Sequence, residues 1–224
     1  LSRELRELTN NGFQNRDITI DKWSKWREFG KKYLKIFHPL KEITPQKNYS
    51  INPYYFINYL TSKLNKDAIT VCADGTACVV GFQAAIFKQN QRMFHNSGCA
   101  SMGYEIPASI GAYYASRNEI NCIAGDGSIM MNLQELAYIG GLKLPIRIFI
   151  LNNKGYHSIR QTQQNYFPDN PVGCGFESGL PFSDFEKLSA GFGMNYLLID
   201  NQKSMVKNIE VALSENCLLY TSPS

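Results

Sequence analysis

Ile123-Ala124-Gly125-Asp126-Gly127-Ser128 and, further along, Ile146-Arg147-Ile148-Phe149-Ile150-Leu151-Asn152-Asn153 decide how this chain folds. Each begins as a short apolar run, the pattern of a strand buried on both faces of a parallel sheet. Residues 133–142 between them read as a helix. Strand, helix and strand make one βαβ crossover, which returns the second strand parallel to the first. Asp126 and Asn153 lie 27 positions apart and so stand at the same edge of the sheet. That edge, at the carboxyl ends of the strands, is where open α/β sheets bind ligands.

Working outward, the same alternation holds. Residues 54–64 read as helix, 68–73 as strand, 79–87 and 103–115 as helix, and 121–124 as strand. Residues 182–192 read as helix, 196–199 as strand and 204–214 as helix. The class is therefore α/β, a parallel sheet with helices on both faces. Before it, Trp23, Trp26, Phe29, Tyr33 and Phe37 recur at helical spacing, and Pro39 and Pro45 end that pattern. The reading is a helical linker over 1–45, the α/β domain over 46–216, and a tail over 217–224. A last strand is due in the tail, but Cys217-Leu218-Leu219-Tyr220-Thr221-Ser222-Pro223-Ser224 fits it poorly and is expected to be truncated or foreign. The chain starts at Leu1 without an initiator Met, so it is expected to begin inside a longer one.

The bulk numbers exclude several classes. Of 224 residues, 44% are hydrophobic and 19% charged, unlike a disordered chain. A net charge of +4 with dispersed lysines and arginines leaves no nucleic-acid footprint. No apolar run is long enough for a bilayer span. The six cysteines include no CxxC pair and read as reduced, buried thiols of a cytoplasmic protein.

At the sheet edge, a carboxylate (Asp126) and an amide oxygen (Asn153) are hard ligands of the kind Mg²⁺ prefers, with room for a diphosphate to complete an octahedron. Gly125 and Gly127 permit a sharp turn and close backbone approach, and the helix that follows can turn its free N–H groups to an anion. Taken singly, a Gly-Asp-Gly turn is often only a turn and an Asn pair often only a cap. Their pairing across one crossover makes a ligand site the stronger reading.

Gly125-Asp126-Gly127 with Asn152-Asn153 resembles the signature of thiamine-diphosphate (ThDP) enzymes. Residues 101–112, 128–136 and 144–163 resemble the acetolactate synthase large subunit, and Ile51-Asn52-Pro53 resembles the start of its last domain. The similarity covers about 46–215. It implies a C-terminal, diphosphate-binding domain with ThDP and Mg²⁺ as cofactors. By resemblance, Asp126 and Asn153 bind Mg²⁺ through side chains and Gly155 through its carbonyl, while Gly127 and Ser128 donate to the diphosphate. Met102 wedges the cofactor into its bent form, and its N–H and the Ala100 carbonyl hold the aminopyrimidine. Thr76 keeps a phosphate donor where the family's histidine is missing. Thr162 stands where the family has a substrate-selecting Trp, so the loop after Asn153, with His157, Arg160 and Gln161, is expected to set substrate choice. His157 is a candidate acid/base group or a plain hydrogen-bonding residue.

The implied activity is that of a lyase or carboligase (transferase) acting on a 2-oxo acid. The implied assembly is a homodimer or homotetramer, and the fragment alone is expected to be inactive. The resemblance places a glutamate that acts on the cofactor in a separate pyrimidine-binding domain. Two other readings stand beside it: a decarboxylase or hydrolase of the same superfamily, and a non-catalytic assembly domain.

Overall fold

Strand β4 (Ile146–Leu151) is buried at every residue and lies inside the sheet. It pairs in parallel with β3 (Ile120–Gly125), in a register that sets Gly125 against Leu151. Strand β1 (Ile69–Cys72) lies on the other side of β3, and β2 (Arg92–His95) forms the edge beyond it. The six parallel strands run in the order β2-β1-β3-β4-β6-β5, with β5 at Asn195–Ile199 and β6 at Cys217–Thr221. The computed structural model describes residues 16–38, 40–41, 51–215 and 217–221. These fall into two units, within Leu1–Thr44 and Pro45–Ser224.

The side-chain period of two splits each central strand between two apolar layers. Phe149, Leu151 and Ile123 pack on one face with Phe56, Ile57 and Leu60 of α2 (Pro53–Lys63). The same layer holds Val80 of α3 (Gly75–Ala84) and Ile209 and Ala212 of α9 (Gln202–Ser214). Ile146, Ile148, Ile150, Ile120 and Cys122 face the other layer. There they meet Ile106 of α4 (Glu105–Ser116), Leu136 and Ile139 of α6 (Glu135–Gly141) and Phe185 of α8 (Phe185–Gly191). Two covered faces on a parallel sheet are the α/β architecture expected from the alternation of elements.

Asn52 caps α2 by accepting the Tyr54 N–H, and Pro53 sits at the first helical position, where no N–H is needed. In the N-terminal unit, α1 (Arg16–Ile36) carries a ladder of rings, with Phe29 and Tyr33 centroids 4.4 Å apart. Trp23, Trp26, Phe29 and Phe37 are more than half exposed within it. No helix among the described residues is long and apolar enough to cross a membrane. Cys72, Cys78, Cys122 and Cys174 are buried free thiols, and Cys99 is exposed, not buried as expected.

Two elements correct the sequence reading. Cys217–Thr221 does form a strand, inserted between β4 and β5 and paired with both. Two hydrogen-bonding neighbours supply what its weak local pattern does not. Strand β2 was not expected at all; it is short, pairs on one side only and is only half-buried, so no periodicity marks it.

Candidate functional site

From β1, the chain moves to one side to make β2 and to the other to make β3. The sheet therefore has its topological switch point between β1 and β3, where a crevice opens at the strands' carboxyl ends. That crevice is lined by Asp74, Thr76, Met102, Gly125, Asp126, Gly127, Ser128, Asn153, Gly155, Tyr156 and His157, among others. Of the residues expected to bind the metal or cofactor or to act as acid or base, all line it except Ala100. Ala100 is exposed in a left-handed turn (φ 51°), its N–H bonded to the Asn96 carbonyl at 2.7 Å.

Asp126 is the hub. Its Oδ1 accepts the Gly127 N–H at 2.8 Å and its Oδ2 accepts the Gly155 N–H at 2.9 Å. One carboxylate thus joins the turns that follow β3 and β4. In the second turn the two asparagines divide the work. Asn152 Oδ1 accepts the Lys154 N–H at 3.0 Å and shapes the turn. Asn153 Oδ1 is buried and has no hydrogen-bond partner among the described residues. Lys154 (φ 60°) and Gly155 (φ 142°) then reverse the chain, and Gly155 bridges to Gly175. Gly127 is packed as closely: a methyl there would lie 2.3 Å from the Tyr156 ring.

Three expectations change. The helix due after Gly-Asp-Gly is a single turn, α5 (Asp126–Ile129), which tightens into a 3-10 turn at Met130–Asn132. Residues from His157 on are not a loop but helix α7 (His157–Tyr166). Thr162 is exposed on α7 and bonds back to the Ser158 carbonyl, and the crevice is lined instead by His157, Ser158 and Ile159. Arg160 is not a free substrate donor, because its Nη2 donates to the Asn153 carbonyl at 2.8 Å and so braces the turn. Gln161 does not line the crevice.

Sequence reasoning missed two acids. Asp74 ends β1 in the same strand–Asp–Gly arrangement as Asp126, a signal that was available; burial raises its carboxyl above the ordinary range. Glu105 lies wholly buried behind the crevice, in the first turn of α4.

The donor set fits a divalent cation that carries a diphosphate. An unpartnered buried amide oxygen beside a buried carboxylate is an unfavourable arrangement that a hard cation would complete. Asp126 records that cost: burial pushes it up to about 6 from 3.8, against the pull of the Gly155 and Gly127 N–H groups. A folded-state value above the ordinary one means that the metal-free domain loses stability as pH rises from about 3.8 through about 6. Protons would compete with a metal held by this carboxylate. Affinity for Mg²⁺ with inorganic diphosphate is therefore expected to fall below pH ~6 by more than diphosphate's own protonation causes, as read against an Asp126→Asn control. Calorimetric titrations of both proteins between pH ~5 and ~8 measure this; the same pH dependence in both would exclude Asp126 as a ligand.

The sequence model of the thiamine pyrophosphate enzymes' C-terminal TPP binding domain matches residues 74–220. The acetolactate synthase large subunits of Porphyra purpurea and Pyropia yezoensis are similar at 31% and 33% identity, over 93% and 94% of this chain. The chain spans 34% of the length of each. Among solved structures, the thiamine diphosphate-dependent 4-hydroxybenzoylformate decarboxylase of Rhodococcus jostii RHA1 shares the fold. It superposes with a TM-score of 0.68 at 20% identity, over 81% of this chain and 34% of its own. With a crevice at the switch point, a buried Asp126 and an unpartnered Asn153, the chain belongs to the thiamine pyrophosphate enzymes, as their C-terminal TPP binding domain.

Proposed function

We propose that this domain serves a ThDP- and Mg²⁺-dependent lyase or carboligase acting on a 2-oxo acid, in a protein that assembles as a homodimer or homotetramer. The observation that carries the reading is the convergence of Asp126 with the unpartnered Asn153 Oδ1 in one crevice. Asp126, Asn153 and the Gly155 carbonyl would hold the cation. The Ser128 backbone N–H and Thr76 would hold the diphosphate, the Gly127 N–H expected beside them being already given to Asp126 Oδ1, and Met102 would shape the cofactor from the facing wall. When bound, the cofactor supplies an electron sink for carbanion chemistry at the substrate's carbonyl carbon.

The crevice is open, so a second domain is needed to cover it and exclude water. These 224 residues hold the diphosphate end, and the domain alone binds weakly and turns nothing over. The test is calorimetric binding of ThDP to the full-length protein with and without Mg²⁺, followed by turnover of pyruvate. Mg²⁺-independent binding, or no binding, would defeat the reading.

Substrate choice belongs to the first turn of α7 rather than to Thr162. His157 is exposed on the crevice wall, four residues beyond Asn153. His157→Ala in the full-length enzyme is expected to lower kcat/KM for a 2-oxo acid by about 10- to 100-fold, the range of one acid–base or substrate-binding group. ThDP affinity should stay within about twofold. An unchanged kcat/KM would leave His157 a surface residue.

A further inference from the structure

Glu105 has no part in the site as described, yet it is fully buried one turn from it. Its Oε2 accepts the Ser128 hydroxyl at 2.9 Å. The same Ser128 Oγ accepts the Gly103 N–H at 2.9 Å, and the Gly103 carbonyl accepts Asn132 Nδ2 at 2.8 Å. Gly103 is left-handed (φ 81°), and a methyl on it would lie 2.8 Å from Met131 Cβ. The Met102–Gly103 turn on one wall is thereby clamped to the Gly125–Ser128 turn on the other, with Glu105 as the terminal acceptor.

We propose that Glu105 is a positioning residue that orients the Ser128 hydroxyl and so fixes the Met102 wall at the spacing a two-ended cofactor requires. Ser128 has one hydroxyl proton. In the bond to Glu105 it leaves the oxygen's lone pairs for the Gly103 N–H, and with Asp74 also beside this hydroxyl no proton is left for an anion. Ser128 then serves a diphosphate only through its backbone.

Stability alone does not account for the carboxyl. Its second oxygen, Oε1, is buried without a hydrogen-bond partner among the described residues. Burial pushes the group up to about 7, and the nearby Asp74 charge adds to the rise. An apolar side chain would avoid that cost. What an apolar side chain lacks is an acceptor for Ser128. Pre-organisation of this kind is worth affinity because the turn need not be ordered when the ligand arrives.

This inference rests on the ThDP reading, and the experiment separates the two. ThDP–Mg²⁺ and inorganic diphosphate–Mg²⁺ are titrated calorimetrically into full-length protein carrying Glu105→Ala, Glu105→Gln, Ser128→Ala and the double variant Glu105→Ala with Ser128→Ala. ThDP, which touches both walls, is expected to lose about tenfold in affinity with Glu105→Ala. Diphosphate, which touches one wall, should lose less than about twofold. Glu105→Gln keeps an acceptor oxygen and should restore ThDP binding to within about twofold, and Glu105→Ala should add nothing in the Ser128→Ala background. Unchanged ThDP affinity in Glu105→Ala overturns the proposal, as does an equal loss for both ligands that Glu105→Gln fails to rescue. If Asp126→Ala also leaves ThDP affinity unchanged, the cofactor reading fails and takes this proposal with it. If Asp126→Ala abolishes binding while Glu105→Ala does nothing, only the proposal fails.

Discussion

Asp126→Ala is expected to abolish retention of ThDP–Mg²⁺ by the full-length protein while leaving the fold intact. In the proposed site Asp126 and Asn153 are the two side chains that would meet the cation, and only Asp126 carries a charge. Removing it should weaken cofactor binding by at least about a hundredfold, or about 3 kcal/mol. The fold should survive because two effects offset each other. The Gly127 and Gly155 N–H groups lose their acceptor, at a cost of about 1–3 kcal/mol for each buried donor left unpaired. Against this, a buried carboxyl held up at about 6 disappears, which relieves the metal-free domain at neutral pH. The measurements are calorimetric ThDP affinity at saturating Mg²⁺ and a thermal melt of the metal-free protein. Unchanged affinity would remove the basis of the cofactor assignment. A melt showing an unfolded variant would shift the role of Asp126 from ligand to structural hub.

The residues that were legible share a physical property: their local pattern and their tertiary role agree. Strand β4 is apolar along nearly its whole length because both faces are covered, so its burial could be read before any fold was known. Asp126 and Asn153 were legible because one crossover has a fixed consequence for where strands end. The unread elements are those whose structure comes from partners. Residues 217–221 have two hydrogen-bonding neighbours and no helpful pattern of their own. Helix α7 begins directly after Gly155 and Tyr156, and the loop reading failed because Arg160 and the Gly155–Gly175 bridge complete the turn early. Asn152 and Asn153 look alike in sequence, and only geometry shows that one builds the turn while the other's amide oxygen is buried without a hydrogen-bond partner among the described residues. Glu105 was invisible for the same reason, since an acid in the first turn of a helix ordinarily reads as a favourable dipole contact on the surface.

The second large effect should come from adding one methyl group. Gly155 sits at φ 142°, where side chains are rarely accommodated, and a Cβ built on it would lie 2.2 Å from the Cys174 carbonyl oxygen and 3.0 Å from Gly175 Cα. Both obstacles are backbone, so no rotamer change relieves them. Gly155→Ala must open the Gly155–Gly175 bridge and the bond from the Tyr156 N–H to the Cys174 carbonyl, now 2.9 Å. Strain at such a position costs about 1–3 kcal/mol and overpacking a further ~1–3 kcal/mol. A total near 3 kcal/mol corresponds to a fall in Tm of roughly 10 °C for a domain of this size. The control is Gly141→Ala, at the end of α6, where an added Cβ meets nothing within 4 Å and helix propensity favours alanine by ~1 kcal/mol. The two substitutions add the same atom and should move Tm in opposite directions. Gly155→Ala should also weaken Mg²⁺–diphosphate binding, because the displaced Gly155 no longer donates to Asp126 Oδ2 and, in the proposed site, would no longer present its carbonyl to the cation. A lower Tm with unchanged Mg²⁺–diphosphate affinity would make the turn a structural clasp and take Gly155 out of the ligand set.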